Sequence, residues 1–263
     1  NTGRPQDIYQ KVADVTTAKL RLIDHPYATK WLDVGISRKC TKRAVMTLPY
    51  GSTQRSAREY VTEYVEDNWG KFKLDEEHKR HLAQYLTPIL WEAIGEVVIA
   101  ARAAMKWLRK CVPREEHIEW VTPIGFPVHQ YYKKMTTFII RTQLNGGMAL
   151  KCKELDARDG EPNTYQQRNG IAPNFVHSLD STHMVLAVND ADDISFAMIH
   201  DDFGTHAGHA SEFNKVIRQS FHKLYSEHDP LREWGEQVGA DLDSIPDMGN
   251  YNLDNVLTAP YFF

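Results

Sequence analysis

Over the first 110 residues the apolar positions recur at helical spacing. Residues 4–23 read as an amphipathic helix with Ile8, Val12, Val15, Leu20 and Leu22 as core positions. A second helix over 36–50 follows Trp31, and 54–69 and 75–111 also read as helical. Pro88 is expected to kink or break the last of these, and Pro113 to end it. Alanines over 93–104 suggest a buried helix, with Trp91, Met105 and Trp107 as core side chains rather than ligand contacts. From His117 the period shortens to two. Residues 118–121 and 126–132 read as strands, and 136–142 and 148–153 flank Asn145-Gly146-Gly147, a strong hairpin signal. Residues 154–169 read as a polar loop, and 171–188 as a helix with Pro173 in its first turn. A short apolar run, 194–199, looks like a buried strand, and helices follow over 211–225 and 231–238. The fold class is α+β, mostly helical.

The apolar run 194–199 leads into His200, Asp201 and Asp202, and Gly204 is expected to turn the chain there. A hydrophobic strand that delivers carboxylates to a tight turn is a way to place a magnesium ligand, since a charge withdrawn from water needs a partner or a metal. The same residues also suit a solvated hairpin turn. Far upstream, Arg38, Lys42, Met46 and Tyr50 fall at steps of four and form one slowly drifting stripe on a helix. Two cations and an aromatic on one face suit a nucleoside triphosphate, the cations meeting phosphate and the ring lying near base or sugar. An ordinary exposed basic helix has that spacing too.

Together, Arg38 to Gly51 (RKCTKRAVMTLPYG) and HDDFGT resemble motifs B and C of the single-subunit RNA polymerases of bacteriophages and mitochondria. GIAPNFVHS over 170–178, WVTPIGFPV over 120–128 and QDIY over 6–9 are similar to further signatures of the phage branch, and all five stand in the family's order. The resemblance implies the fingers and part of the palm of a right-hand polymerase. The fingers would take 1–177, with the nucleotide-binding helix at 36–50 and a specificity hairpin at about 132–170, and the palm 178–263. It implies a DNA template, ribonucleoside triphosphates as substrates and an RNA product. Asp201 is similar to the aspartate that binds the catalytic magnesium ions. Arg38 and Lys42 resemble the cations that hold the triphosphate, Tyr50 the tyrosine that closes over the insertion site, and His177 the histidine that senses the 2′-hydroxyl. A 2′-hydroxyl both donates and accepts, so a polar pair can select for it. On the specificity hairpin, Arg141, Gln143, Asn145, Lys151 and Lys153 are the candidate DNA contacts. Arg, Asn and Gln read base edges bidentately, although the hairpin could equally be an exposed polar one with phosphate contacts only, or none.

The pattern departs from the family in three places. Pro49 precedes Tyr50, where a regular helix does not tolerate it. Asp202 follows Asp201 at a place where the family needs no carboxylate, and it is read as a spectator. Motif A, with the other metal-binding aspartate, should lie upstream of QDIY and is missing. Two metals clamp the attacking and leaving oxygens in nucleotidyl transfer, and one aspartate cannot hold both. Asp33 and Asp180 lack the required context. The expectation is therefore a fragment of such a polymerase or, in preference, one chain of a split, heterodimeric phage enzyme, inactive without a second polypeptide that carries motif A and the N-terminal domain. Two alternatives stay open. One is a fragment of a repair-type DNA polymerase, a family that shares the Arg-x3-Lys-x7-Tyr-Gly and His-Asp patterns. Met46-Thr47 and His177 in PNFVHS favour the RNA enzyme. The other is a non-catalytic DNA-binding or assembly subunit.

At 263 residues the chain can bury a substantial core. No apolar run approaches the roughly 20 residues that cross a bilayer, so no membrane partner is expected; the sparse cysteines fit the reducing cytoplasm of a host cell, which for a phage enzyme, as the resemblance implies, is bacterial. Cys40, Cys111 and Cys152 are few and far apart, and read as buried, inert thiols. The net charge of −4 hides strong patterning. Residues 38–58 carry six Lys or Arg and no acid, and 101–114 and 129–153 carry five each and none. These stretches are candidates for lining a nucleic-acid channel. Residues 227–254 hold eight acids and only Arg232. The closing rings Tyr261, Phe262 and Phe263 are either a functional foot near the site or a packed terminus.

Overall fold

The computed structural model describes residues 7–143, 147–155, 161–260 and 262. The chain forms two compact units, one running through Lys106 with Pro246–Asn250, the other made of Trp107–Ile245 and Tyr251–Phe262. The fingers–palm boundary expected at 177 falls inside a continuous helix, α8, described below.

The first unit is helical. Helix α1 (Ile8–Leu20) is capped by Asp7 and buries Val12, Ala13, Thr16 and Leu20. Ile8 and Leu22, expected in the core, are 41% and 87% exposed. The helix stops at Leu20, so Leu22 lies beyond it and Ala13 and Thr16 fill the inward stripe instead. Helix α2 (Pro26–Val34) brings Trp31 fully inside, where its Nε1 donates to the Leu82 carbonyl at 3.1 Å. Helix α3 (Arg38–Met46) is shorter than the 36–50 expected. Pro49 has no N–H for the Val45 carbonyl, which accepts from Leu48 N at 3.1 Å instead. The chain then turns through Gly51, whose φ is +85°. Thr53 caps α4 (Gln54–Asp67) in a capping box with Ser56. After the short α5 (Trp69–Phe72), α6 (His78–Val97) carries Pro88 without a break, and the chain divides at Val98 before α7 (Ile99–Cys111). The apolar face of α6 (Leu82, Leu86, Leu90 and Ile94, all fully buried) packs on α1 and α4 and holds the helix through the proline. Met105 is buried as expected, and Trp91 is half-buried.

In the second unit β1 (Ile118–Val121) pairs antiparallel with β2 (Pro127–Gln130), and β3 (Met135–Thr142) with β4 (Met148–Leu155). Helix α8 (Thr164–Asn189) starts well before the expected 171, so Pro173 lies in its interior rather than its first turn. Asn163 caps it by accepting from Gln166 N at 3.1 Å. Gln167 is buried in a polar pair with Gln130, whose Nε2 donates to the Gln167 side-chain oxygen at 2.6 Å. Of this polar turn only Gln167 faces inward; Tyr165, Gln166, Arg168 and Asn169 are exposed. Gly170 is needed because a Cβ there would come within 2.5 Å of the Tyr132 ring. Strands β5 (Phe196–Ile199) and β6 (Asp202–Thr205) form a hairpin, followed by α9 (Ala210–Glu227), α10 (Pro230–Gln237) and α11 (Asn255–Thr258). Ala187, Ala191, Ile194, Phe213 and Ile217 make a core against which Met198, Phe203 and Phe262 pack. Arg218, itself buried, donates to the Val256 and Ala259 carbonyls at 2.8 and 2.7 Å and so ties the last turn of chain to α9. Phe262 packs against Phe221, while Tyr261 and Phe263 lie outside the described residues.

Candidate active-site elements

In the first unit α3 buries Cys40, Thr41, Ala44 and Val45 and turns its cations outward. Arg38, Lys42, Met46 and Tyr50 are all exposed, so the four-step row lies on one open side although Tyr50 stands beyond the helix end. Arg43 is held by Glu63 and lies over the Tyr60 ring at 4.4 Å. Arg38 is held through Nε by Asp7. Lys42 has no carboxylate partner among the described residues. Burial pushes the Cys40 thiol up to about 12, which makes it inert as expected. Cys111 and Cys152 are only half-buried.

In the second unit the β5–β6 register pairs Ile199 with Asp202, leaving His200 and Asp201 as a two-residue loop. His200 has φ +57°, a left-handed conformation at the first loop position that normally belongs to glycine. Gly204, expected to turn the chain, sits inside β6 opposite Ala197, where a Cβ would meet the Ala197 carbonyl at 3.1 Å. The strand expected to be buried is largely open: Phe196 is 40% and Ile199 72% exposed. A two-stranded ribbon covers only one face and has free edges, and here Ile194 and Met198 supply the packed side. Asp201 and Asp202 are both exposed.

His177 and Asp180 stand one helical turn apart on α8. The Asp180 carboxyl is raised by partial desolvation and by the Asp201 charge, against the opposing pull of His177, His183 and His200. The structure therefore brings His177, Asp180, His200 and Asp201 into one electrostatic neighbourhood. Asp180 is the residue the sequence left without context; its only signal was its place three residues after His177. His183 donates from Nε2 to the Ile217 carbonyl at 2.9 Å, and burial lowers its pKa. Tyr225 is pushed to about 12, first by burial and then by Asp180. His177 also borders a cavity of about 720 Å³ between the β1–β2 turn and α8, with Phe126, His129, Ser181 and Val185 on its walls.

Of the candidate DNA contacts, Arg141, Lys151 and Lys153 fall on one face of the β3–β4 hairpin. Thr137 faces Lys153, Ile139 faces Lys151, and Arg141 faces Ala149, so these residues share a side. The opposite side carries Phe138, Ile140, Leu150 and Cys152. Gln143 lies just past β3, and Asn145 lies outside the described residues. No helix among the described residues is long and apolar enough to cross a membrane.

The sequence matches the DNA-dependent RNA polymerase family over residues 1–243. It is 32% identical to a DNA-directed RNA polymerase of Enterobacteria phage K11 over 98% of this chain and 32% of the relative. It is 33% identical to the T7 RNA polymerase of Escherichia phage T7 over 93% of this chain and 31% of the relative. It is 35% identical to the chloroplastic DNA-directed RNA polymerase 3B of Nicotiana tabacum over 97% of this chain and 28% of the relative. The chain thus spans about a third of the length of the curated relatives it matches. Coverage of nearly the whole chain by that family, on top of the ordered motifs, makes it a member of the phage-type DNA-dependent RNA polymerases.

Proposed function

We propose that this chain supplies the nucleotide-binding helix and the metal-binding turn of a DNA-directed RNA polymerase, and acts together with a polypeptide that carries motif A. The reaction is attack of an RNA 3′-hydroxyl on the α-phosphate of a ribonucleoside triphosphate, with release of pyrophosphate, on a DNA template in the host cytoplasm. The observation that carries this reading is the exposure of the motif residues. Arg38 and Lys42 stand on the open side of α3, and Asp201 stands at the tip of a strained hairpin loop.

Asp201 would hold magnesium through a carboxylate unencumbered by an ion pair among the described residues. Among those residues no three acidic, His or Cys groups converge on one point, so the remaining ligands would come from the motif A polypeptide. Bound magnesium supplies Lewis-acid stabilisation of the attacking and leaving oxygens. Arg38 and Lys42 bind the triphosphate and neutralise charge that grows on it in the transition state. His177 and Tyr50 select the ribose, because a site that hydrogen-bonds a hydroxyl penalises the analogue lacking it. Arg141, Lys151 and Lys153 meet template phosphates from one face of the β3–β4 hairpin, and Gln143 and Asn145 are the base-reading candidates.

The test is RNA synthesis on a primed single-stranded DNA template with magnesium and four ribonucleotides. Synthesis by the chain mixed with the motif A polypeptide, and its loss in Asp201→Asn with folding intact, is the expected result. Synthesis by the chain alone would show that another carboxylate here replaces motif A. Full activity of Asp201→Asn would end the metal assignment.

A further inference from the structure

Asp7 stands at the junction of α1 and α3 and does two jobs with two oxygens. Oδ1 caps α1, accepting from Tyr9 N at 2.9 Å and Gln10 N at 3.2 Å. Oδ2 accepts from Arg38 Nε. The Tyr9 ring lies under the same guanidinium, 4.9 Å from its carbon, and the Tyr9 carbonyl accepts from the Thr41 hydroxyl at 2.8 Å, one helical turn along α3. Arg38 is therefore fixed from its side and from below. Its two terminal nitrogens make no hydrogen bond with the described residues.

A carboxylate that competed with an anionic ligand for arginine would take the terminal nitrogens, which form the two-pronged edge that suits carboxylate and phosphate alike. Asp7 takes the Nε edge and leaves that fork open. We infer that Asp7 and Tyr9 are positioning residues that present the Arg38 guanidinium fork to the triphosphate of the incoming nucleotide. The inference rests on the reading of α3 given above. An unanchored arginine side chain would have to be ordered when the nucleotide binds, at a cost in rotamer entropy. Here the folding of α1 onto α3 has already ordered it. The carboxyl is partly desolvated, which raises its pKa, but the Arg38 hydrogen bond and the two backbone donors outweigh that and hold it below the usual carboxylate range. Asp7 is thus ionised at neutral pH.

Asp7→Asn tests this without uncapping α1, since asparagine is an equally good cap; Asp7→Ser is a second capping variant. In the assembled polymerase, steady-state synthesis should show KM for ribonucleotides raised about ten-fold in either variant, the size expected for a misplaced charged hydrogen bond, with kcat changed much less. Thermal unfolding of the chain should stay within a few degrees of wild type. Arg38→Ala should raise KM further, and adding Asp7→Asn to it should do nothing more. Unchanged KM in both Asp7 variants, beside a defective Arg38→Ala, would overturn the positioning role and leave the triphosphate assignment standing. Additive losses in the double variant would also overturn it, because Asp7 would then act apart from Arg38. An Arg38→Ala enzyme with normal KM would overturn both.

Discussion

Trp120 Nε1 donates to Ser178 Oγ at 3.3 Å, and the Ser178 hydroxyl in turn donates to the Phe175 carbonyl at 2.7 Å. Two family signatures some 58 residues apart in sequence, one on β1 and one on α8, are thus joined by a single buried hydroxyl beside His177. Ser178→Ala would leave the indole N–H buried with no acceptor. A loss of about 1–3 kcal/mol in urea unfolding is expected, together with weaker ribose selection as the His177 turn loosens. A loss below about 0.5 kcal/mol would mean that the indole finds another partner and that β1 does not brace this turn.

Asp180 gives a pH-dependent prediction. Its folded pKa lies above the ordinary value, because desolvation and Asp201 both disfavour its charge. A group raised in this way costs stability once it ionises. Below the carboxylate range both folded and unfolded forms are protonated and the cost is absent. It grows as pH rises from the unfolded pKa toward the folded one and is constant above that. Asp180 is exposed, so solvent screens the effect; Asp180→Asn should therefore raise the melting temperature only slightly at neutral pH and leave it nearly unchanged at about pH 2. Equal stabilisation at both would show that the gain comes from packing rather than from charge.

The motif residues were easier to find in the sequence than the contacts that surround them. Asp201 and the four-step row from Arg38 are local patterns, and both stand exposed in the structure. The extent of α8 was not legible, because residues 164–169 are polar and the one that is buried, Gln167, is held by Gln130, 37 residues away. Nor was Pro88 in its unbroken helix, where tertiary packing overrides a local rule. Asp7 and Arg38 are 31 residues apart, and no periodicity links an N-cap to a guanidinium on another helix. The openness of Ile199 was missed because an apolar run reads as buried whether or not the fold covers both of its faces.

Tyr50 tests whether the early end of α3 matters. The helix stops at Met46, and Tyr50 sits in the turn before Gly51, 40% exposed. If the turn still carries the ring to the sugar, Tyr50→Phe should let deoxynucleotides compete, lowering ribose preference by about ten-fold or more in mixed-nucleotide synthesis. Retained selectivity would show that Pro49 has taken Tyr50 out of that role and that His177 selects the sugar without it.

His200 sets stability against the proposed activity at the β5–β6 turn. Its φ of +57° at the first place of a two-residue loop is a conformation that an L-residue with a Cβ adopts only at a cost, of order 1–3 kcal/mol. Glycine takes that conformation freely, but it gives back roughly 0.5–1 kcal/mol through the greater freedom of its unfolded chain. His200→Gly should therefore stabilise the chain by about 1 kcal/mol, the difference between these opposing terms, read as a higher urea midpoint at constant slope. The same change removes an imidazole that shares the Asp180 and Asp201 neighbourhood, and it frees the backbone that aims Asp201. Synthesis should fall, with the magnesium concentration for half-maximal rate rising, because a looser loop spends less time with its carboxylate placed for the ion. His200→Asn separates the two effects, since asparagine also tolerates positive φ but carries no imidazole. A normal magnesium requirement in His200→Asn with a raised one in His200→Gly would assign the role to backbone geometry; a raised requirement in both would assign it to the ring. Loss of stability in His200→Gly would show that the loop is not strained and that the opposition between stability and activity does not arise at this turn.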